Sequence, residues 1–305
     1  MKTINIGNGA IKASEISLGC MRISGMSKKD AAELINTALE QGINFFDHAD
    51  IYGGGKSEEV FADAVDMSPS VREKFIIQTK CGIRPGFFDF SKEHILNSVD
   101  GSLKRLKTDH IDVLLLHRPD TLMEPEEVAE AFDILHKSGK VKFFGVSNQN
   151  PMQMELLSKY VNQKLLINQL QFSIMHTGMI DNGINVNMKI EPSIDRDGSI
   201  LEYCRLKDIT IQAWSPFQYG FFEGVFLNND KFPELNKKIN ELAEAKGVTN
   251  TAIAAAWILR HPARMQVIAG TTNSQRLKDI CNASNIELTR QEWYEIYRAA
   301  GNKLP

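Results

Sequence analysis

Asp47 and Tyr52 lie five residues apart in Asn44-Phe45-Phe46-Asp47-His48-Ala49-Asp50-Ile51-Tyr52-Gly53-Gly54-Gly55, where an apolar run ends at a carboxylate and gives way to a glycine-rich loop. A phenol ionises near ~10, so alone it is a poor acid or base at neutral pH. A nearby cation would favour the phenolate and lower that value, which suits a general acid that protonates a carbonyl oxygen. Lys80 is the candidate cation. It ends the run Phe75-Ile76-Ile77-Gln78-Thr79, and a lysine there loses hydration unless it is paired. Asp47 is the natural partner. His117 ends another apolar run and reads as a hydrogen-bonding group that orients a carbonyl. Each residue taken singly has an ordinary alternative: a solvent-facing lysine, a rim tyrosine, a structural histidine. Asp47, His48, Asp50 and His117 also raise a zinc reading, since carboxylates and imidazoles bind that ion. No two closely spaced histidines share a strand, so no metal is expected.

The elements that must position these groups alternate along the chain. Lys2–Ala13 alternates around Gly-Asn-Gly and reads as a hairpin. Strands are expected at 16–19, 44–47, 74–80, 111–117, 141–147, 165–171, 210–214 and 266–269. Helices are expected at 28–41, 57–65, 91–106, 126–138, 151–160, 198–206, 233–246, 249–259 and 274–283. Thr289 and Glu292 form a capping box for an added helix over 289–299. Residues 172–197 read as one long irregular stretch, a length that is usually functional in a compact domain. Ile111-Asp112-Val113-Leu114-Leu115-Leu116-His117 is almost wholly apolar, as a central parallel strand requires.

Eight strands alternating with helices favour an α/β fold of the closed (β/α)8 TIM-barrel type, with an N-terminal hairpin and extra C-terminal helices. A doubly wound open sheet is the alternative, weakened by the absence of G-x-G-x-x-G after the first strand. The barrel would carry Asp47, Tyr52, Lys80, His117, Ser147, Asn148, Asn168, Gln169, Trp214 and Ser215 to one mouth, because active sites lie where barrel strands end. That convergence outweighs any one residue.

The 305 residues show no composition shift that would mark a linker, so a single domain over 1–305 is expected. Charged residues make up 24% and the net charge is −3, which gives no electrostatic reason to expect nucleic acid or acidic membranes as partners. No run approaches the ~18 apolar residues of a membrane span, and the start carries no signal-peptide pattern. Cys20, Cys81, Cys204 and Cys281 are scattered without metal-type spacing. A cytoplasmic protein is expected, monomeric or weakly homo-oligomeric.

Phe46-Asp47-His48-Ala49-Asp50-Ile51-Tyr52-Gly53, Gly145-Val146-Ser147-Asn148, Trp214-Ser215-Pro216-Phe217 and Ala269-Gly270-Thr271-Thr272-Asn273 together resemble the aldo-keto reductase superfamily. The resemblance runs from the hairpin to about Ala283 and points to a bacterial branch. It implies a barrel with its bottom closed by the hairpin, and a catalytic set of Asp47, Tyr52, Lys80 and His117. It also implies an extended NADPH, with NADH as the alternative. Ser147, Asn148 and Gln169 would hold the carboxamide, and Trp214 would stack on the nicotinamide. Ser215, Phe217 and Gly220 would line the pyrophosphate. Gly270, Thr271, Thr272 and Asn273 would approach the adenosine phosphate, Arg276 the 2′-phosphate and Asp279 the adenine. Met21, Arg22, Asp47 and Pro216 complete the expected cofactor site. Many members carry lysine at the place of Gly270 and asparagine at that of Ile280, so two family contacts are missing here.

The implied reaction is reversible reduction of a small carbonyl substrate, with Tyr52 giving the proton, Lys80 tuning it, Asp47 holding Lys80 and His117 orienting the carbonyl. Met21, Arg22, Phe87, Phe88, Arg118, Phe221, Phe222 and Trp293 are candidate pocket residues, with Cys20 close to the nicotinamide. Arg118 could attract an anionic substrate. The alternative is a cofactor-sensing subunit without catalysis.

Overall fold

A run as apolar as Ile111–His117 is stable only when both faces of the strand are covered. The computed structural model, which describes residues 1–305, places it inside a closed ring of parallel strands. The chain opens with β1 (Thr3–Ile6) and β2 (Ile11–Ser14), an antiparallel hairpin in which Ile6 faces Ile11. The barrel begins with β3 (Ile16–Gly19), β4 (Phe45–Asp47) and β5 (Ile76–Cys81). A two-strand ribbon, β6 (Ile83–Arg84) and β7 (Phe87–Phe88), follows. The barrel continues with β8 (Ile111–His117), β9 (Val141–Ser147), β10 (Leu165–Gln171) and β11 (Thr210–Trp214). A second ribbon, β12 (Gln218–Tyr219) and β13 (Gly224–Val225), precedes β14 (Gln266–Ala269). β14 pairs with β3 and closes the ring, so its order is β3-β4-β5-β8-β9-β10-β11-β14.

Because every neighbouring pair in the ring is parallel, all eight C-terminal ends open on one face. The other face is stoppered. Ile4, Ile6, Ile11 and Ala13 of the hairpin pack with Phe45, Val113, Leu115, Leu166 and Ile167 from the barrel strands. Helices cover the outside and turn their apolar faces inward. The helix Lys28–Glu40 buries Ala31, Leu34, Ile35 and Ala38, and is capped by Ser27 accepting from the Asp30 backbone N–H. Gly42, at φ +83°, then turns the chain toward β4. Pro151–Ser158 starts with proline in its first turn and a capping box between Asn150 and Gln153.

The sequence reading of the eight barrel strands agrees with the structure to within two residues at each end. Four differences are instructive. The stretch 172–197 is not wholly irregular: Gly178–Ile184 is a helix, and Glu191–Ser193 a 3-10 turn. Its Met179 and Ile180 are buried, and Asp181 accepts a hydrogen bond from Tyr297 Oη at 2.7 Å. Seven residues, two of them glycine (Gly178 and Gly183), carry too little periodicity to be read as a helix. The two ribbons are strands of two residues, below any period-2 signal. Pro69–Arg72 is a single helical turn. Finally, Trp293 is not a pocket residue. It stacks on Trp257 with ring centroids 4.7 Å apart and planes 7° from parallel, and each indole N–H donates to the other residue's carbonyl at 3.0 Å. The capping box of Thr289 and Glu292 does form, but the helix Arg290–Ala299 serves the core.

Candidate active site

β4 ends at Asp47, and the backbone beyond it is tied to β5. His48 N–H donates to the Gln78 carbonyl at 2.8 Å, and Asp50 N–H to the Lys80 carbonyl at 3.0 Å. Tyr52 then opens a 3-10 turn over Tyr52–Gly55. Gly53, Gly54 and Gly55 take φ of +60°, +64° and +92°, three left-handed residues in succession. A Cβ on Gly53 would stand 2.6 Å from Ser24 Cβ, and one on Gly55 2.8 Å from Arg105 Cδ. The glycine run has a steric reason: no other residue type fits this backbone cheaply.

Lys80 is fully buried. Its Nζ lies 2.8 Å from Asp47 Oδ1 and 2.9 Å from Oδ2. It also donates to the His48 carbonyl at 2.7 Å and to Tyr52 Oη at 3.1 Å. Burial disfavours the ammonium, but Asp47 and Tyr52 outweigh that and hold the Lys80 pKa above its ordinary value. Tyr52 departs from the sequence expectation. Burial raises its pKa more than the Lys80 cation lowers it, and Asp47 adds to the rise, so the phenol is held above 10 rather than below. Burial depth is not visible in sequence, and here it decides the sign. The consequence is a phenol that keeps its proton at neutral pH.

His117 stands edge-on to Tyr52, ring centroids 6.1 Å apart. Burial, with Lys80 and Arg118 nearby, drives its pKa well below 6.5, so the imidazole is neutral. Its Nδ1 is buried without a hydrogen-bond partner. His48 faces elsewhere: its ring packs against Phe61 at 4.7 Å, and burial with Lys80 pushes its pKa down to about 3. Asp50 is pushed up to about 6 by burial and by Glu58.

An amide network that sequence reasoning missed adjoins Asp47. Gln78 Nε2 donates to Asp47 Oδ1 at 2.6 Å, and Gln169 Nε2 to the same oxygen at 3.0 Å. Both also donate to Gln212 Oε1. The available signal was a glutamine inside otherwise apolar strands: Ile76-Ile77-Gln78, Thr210-Ile211-Gln212 and Gln266-Val267-Ile268. Gln169 was read as a carboxamide ligand, but its amide nitrogen is taken by Asp47 and Gln212.

Above this floor the mouth opens into a cleft of about 680 Å³. Asp47, Tyr52 and His117 line it, with Met21, Arg22 and Gln169 beside them. Ser147, Asn148, Trp214, Ser215, Pro216 and Phe217 form one wall. Gly270, Thr271 and Arg276, following β14, also line it. Asn148, at φ +56°, links this wall: its Nδ2 donates to Ser147 Oγ at 2.7 Å, and its Oδ1 accepts from Trp214 Nε1 at 3.2 Å. Trp214 is stacked with Phe222 at 5.9 Å, and the Arg118 guanidinium lies 5.4 Å from its ring. Arg118, Phe221 and Phe222 line the cleft, as their candidacy required.

Several expected residues stand outside the lining. Lys80 sits behind Asp47 and Tyr52. Gly220 lies at the tip between β12 and β13, its carbonyl accepting from Gln171 Nε2 at 2.7 Å. Thr272 is exposed. Asn273 caps the helix Ser274–Cys281 by accepting from the Arg276 backbone N–H at 2.8 Å. Asp279 accepts from Gln275 Nε2 at 3.0 Å on the exposed face of that helix. Phe87 and Phe88 point to solvent from the first ribbon, and Ile83 of the same ribbon lines the cleft instead. Gln218, Val225, Leu227, Asn228 and Thr251 line it too; no motif marked them, because the second ribbon that brings most of them there has no strand signal.

The family described as "Aldo/keto reductase family" matches residues 15–300 of the chain. The oxidoreductase YcsN of Bacillus subtilis (strain 168) is 36% identical, with 97% of each chain covered. A 6-dehydroglucose reductase of Agrobacterium fabrum is 34% identical, with 96% of each covered. Among solved structures, the thermostable aldo-keto reductase Tm1743 in complex with the inhibitor epalrestat superposes with a TM-score of 0.78 at 26% identity, covering 98% of this chain and all of that one. A closed eight-strand barrel stoppered by a hairpin, with this family match along nearly its whole length, makes the chain a member of the aldo/keto reductase family and an oxidoreductase.

Proposed function

We propose that the chain reduces aldehyde or ketone carbonyls to alcohols with NADPH, using Tyr52 as the proton donor. One observation carries this reading: a fully buried Lys80 ammonium that touches Asp47 on one side and Tyr52 Oη, at 3.1 Å, on the other. Tyr52 keeps its proton at neutral pH and gives it to the carbonyl oxygen. Lys80 then stabilises the phenolate left behind, and Asp47 holds Lys80 in place. His117, kept neutral by burial, has one N–H to offer the same oxygen. A nicotinamide cofactor, when bound, supplies the hydride.

The residues present fit such a cofactor. Ser147 and Asn148 offer hydroxyl and amide groups to a carboxamide, and Gln169 has its carbonyl oxygen left for one. Trp214 and Phe217 offer flat apolar surface. A Cβ built on Gly270 meets nothing within 4 Å, which leaves backbone approach open where Thr271 and Arg276 line the cleft. Gly220, Thr272, Asn273 and Asp279 stand outside the lining and are left out of the direct-contact set.

Arg276 is the residue on which a preference for NADPH over NADH rests. A charged hydrogen bond is worth about 1.5–3 kcal/mol, so Arg276→Ala is expected to weaken NADPH binding roughly 10- to 100-fold. NADH binding will change little; a parallel titration of both cofactors checks this. The reading as a whole is tested by NADPH consumption over a panel of aldehydes and ketones. The Agrobacterium relative's name puts sugar aldehydes first on that panel. Turnover supports an enzyme. Tight NADPH binding with no turnover on any carbonyl would make the chain a cofactor sensor instead.

A further inference from the structure

The glutamines behind Asp47 form a continuous chain across the barrel. Asp47 pairs in register with Gln78, Gln169 with Gln212, and Gln212 with Gln266, so the five side chains come from β4, β5, β10, β11 and β14 at matched levels. None of the four glutamines is more than 3% exposed. Gln266 Nε2 donates to the Ser14 carbonyl at 2.7 Å. Gln266 Oε1 accepts from Gln212 Nε2 at 2.8 Å. Gln212 Oε1 accepts from Gln78 and Gln169, at 2.8 and 3.0 Å.

The direction of this chain is fixed at both ends. A backbone carbonyl can only accept, so Gln266 must turn its NH2 to Ser14 and its oxygen to Gln212. Gln212 must then present its own oxygen to Gln78 and Gln169. Each of those has two N–H bonds, one for Gln212 and one for Asp47. The Ser14 carbonyl at the closed end of the barrel thus dictates that Asp47 meets two donors, never an amide oxygen.

We propose that Gln78, Gln169, Gln212 and Gln266 are a positioning relay that compensates the Asp47 carboxylate and thereby sets the ionisation of Tyr52. The proposal rests on the reading of Tyr52 as proton donor. A packing role alone explains the glutamines poorly. Gln78 Oε1 is buried without any partner, a cost that a methionine or leucine of similar volume would avoid. What the amide supplies and an apolar chain cannot is the donor to Asp47. The link to Tyr52 is electrostatic. Asp47 opposes phenolate formation and Lys80 favours it. The other groups facing Tyr52 are Cys20, buried, with His117, neutral, and Arg118 from the end of β8. Donors on Asp47 reduce its opposing field without touching the Lys80 contact.

The test uses the full chain with Gln78→Met and, separately, Gln212→Met, which removes the shared acceptor and unlocks the amide directions. Thermal unfolding is recorded for each. Tyr52 ionisation is followed by ultraviolet difference titration against the same background carrying Tyr52→Phe. The relay predicts that Tyr52 titrates at higher pH in both variants, more so in Gln78→Met, with kcat for carbonyl reduction down roughly tenfold and cofactor affinity unchanged. If Gln78→Met does not fold, Gln212→Met decides. A Tyr52 titration at the wild-type pH in the folded variants overturns the relay, even if their melting temperatures fall. A moved titration in a protein that turns over no carbonyl would instead overturn the reaction assigned to the site and leave the relay standing.

Discussion

Tyr52→Phe is expected to lower kcat for aldehyde reduction by about 10²–10⁴-fold, the usual contribution of a positioned general acid. The substitution removes one oxygen and leaves the ring, so the edge-on packing against His117 survives. Cofactor binding will be unchanged, because the groups proposed to hold it lie on β9, β10, β11 and the segment after β14, none of them on the Tyr52 loop. The loss will therefore appear in kcat and kcat/KM together, as it does when an interaction made only in the transition state is removed. Steady-state kinetics with a single aldehyde and a fluorescence titration of the cofactor check both halves.

Lys80→Met carries the second large effect, on stability as well as rate. Lys80 is wholly buried, and its Nζ meets both oxygens of Asp47. Removing one partner of a buried ion pair leaves an uncompensated charge and typically costs ~3–5 kcal/mol. Gln78 and Gln169 still donate to Asp47, which places the expected cost toward the lower end of that range. Activity will fall at least as far as in Tyr52→Phe. Burial already disfavours the phenolate, and Lys80 is the cation in contact with it. Denaturant unfolding alongside kcat separates the two effects. A variant as stable and as active as the parent would mean that the ion pair is incidental.

How much of this was legible in the sequence depended on whether a signal was periodic. β3, β8, β9, β10, β11 and β14 could be read to the residue, since each is a short stretch rich in aliphatic or aromatic residues between turn or helix signals. Knowing that eight such runs close into a barrel was enough to bring Asp47, Tyr52, Lys80 and His117 together, although 33 residues separate Asp47 from Lys80. What failed was whatever depended on depth. Tyr52 was expected to be acidified by Lys80, and burial reverses the sign. Trp293 was expected in the pocket, on an amphipathic tail helix whose apolar face instead stacks on Trp257. Each glutamine stood out singly as a polar residue in an apolar strand, but nothing in the sequence linked them; only the register of five strands makes them one structure. The second ribbon, which brings Gln218 and Val225 to the cleft, is too short for any period to emerge.

The central claim is that a protonated, buried Tyr52 transfers the proton, and the pH dependence of the reaction in both directions tests it most directly. Reduction needs the phenol, so its kcat/KM should stay level through neutrality and fall only as pH rises through a Tyr52 pKa held above 10. No acid-side limb from His117 should enter near neutrality, because its pKa lies well below 6.5. Oxidation of the matching alcohol needs the phenolate and should rise with pH over the same range in which reduction falls. In Tyr52→Phe both limbs should vanish along with most of the rate. Persistence of the wild-type limbs in Tyr52→Phe, with activity largely retained, would contradict the account and move the proton transfer to another group.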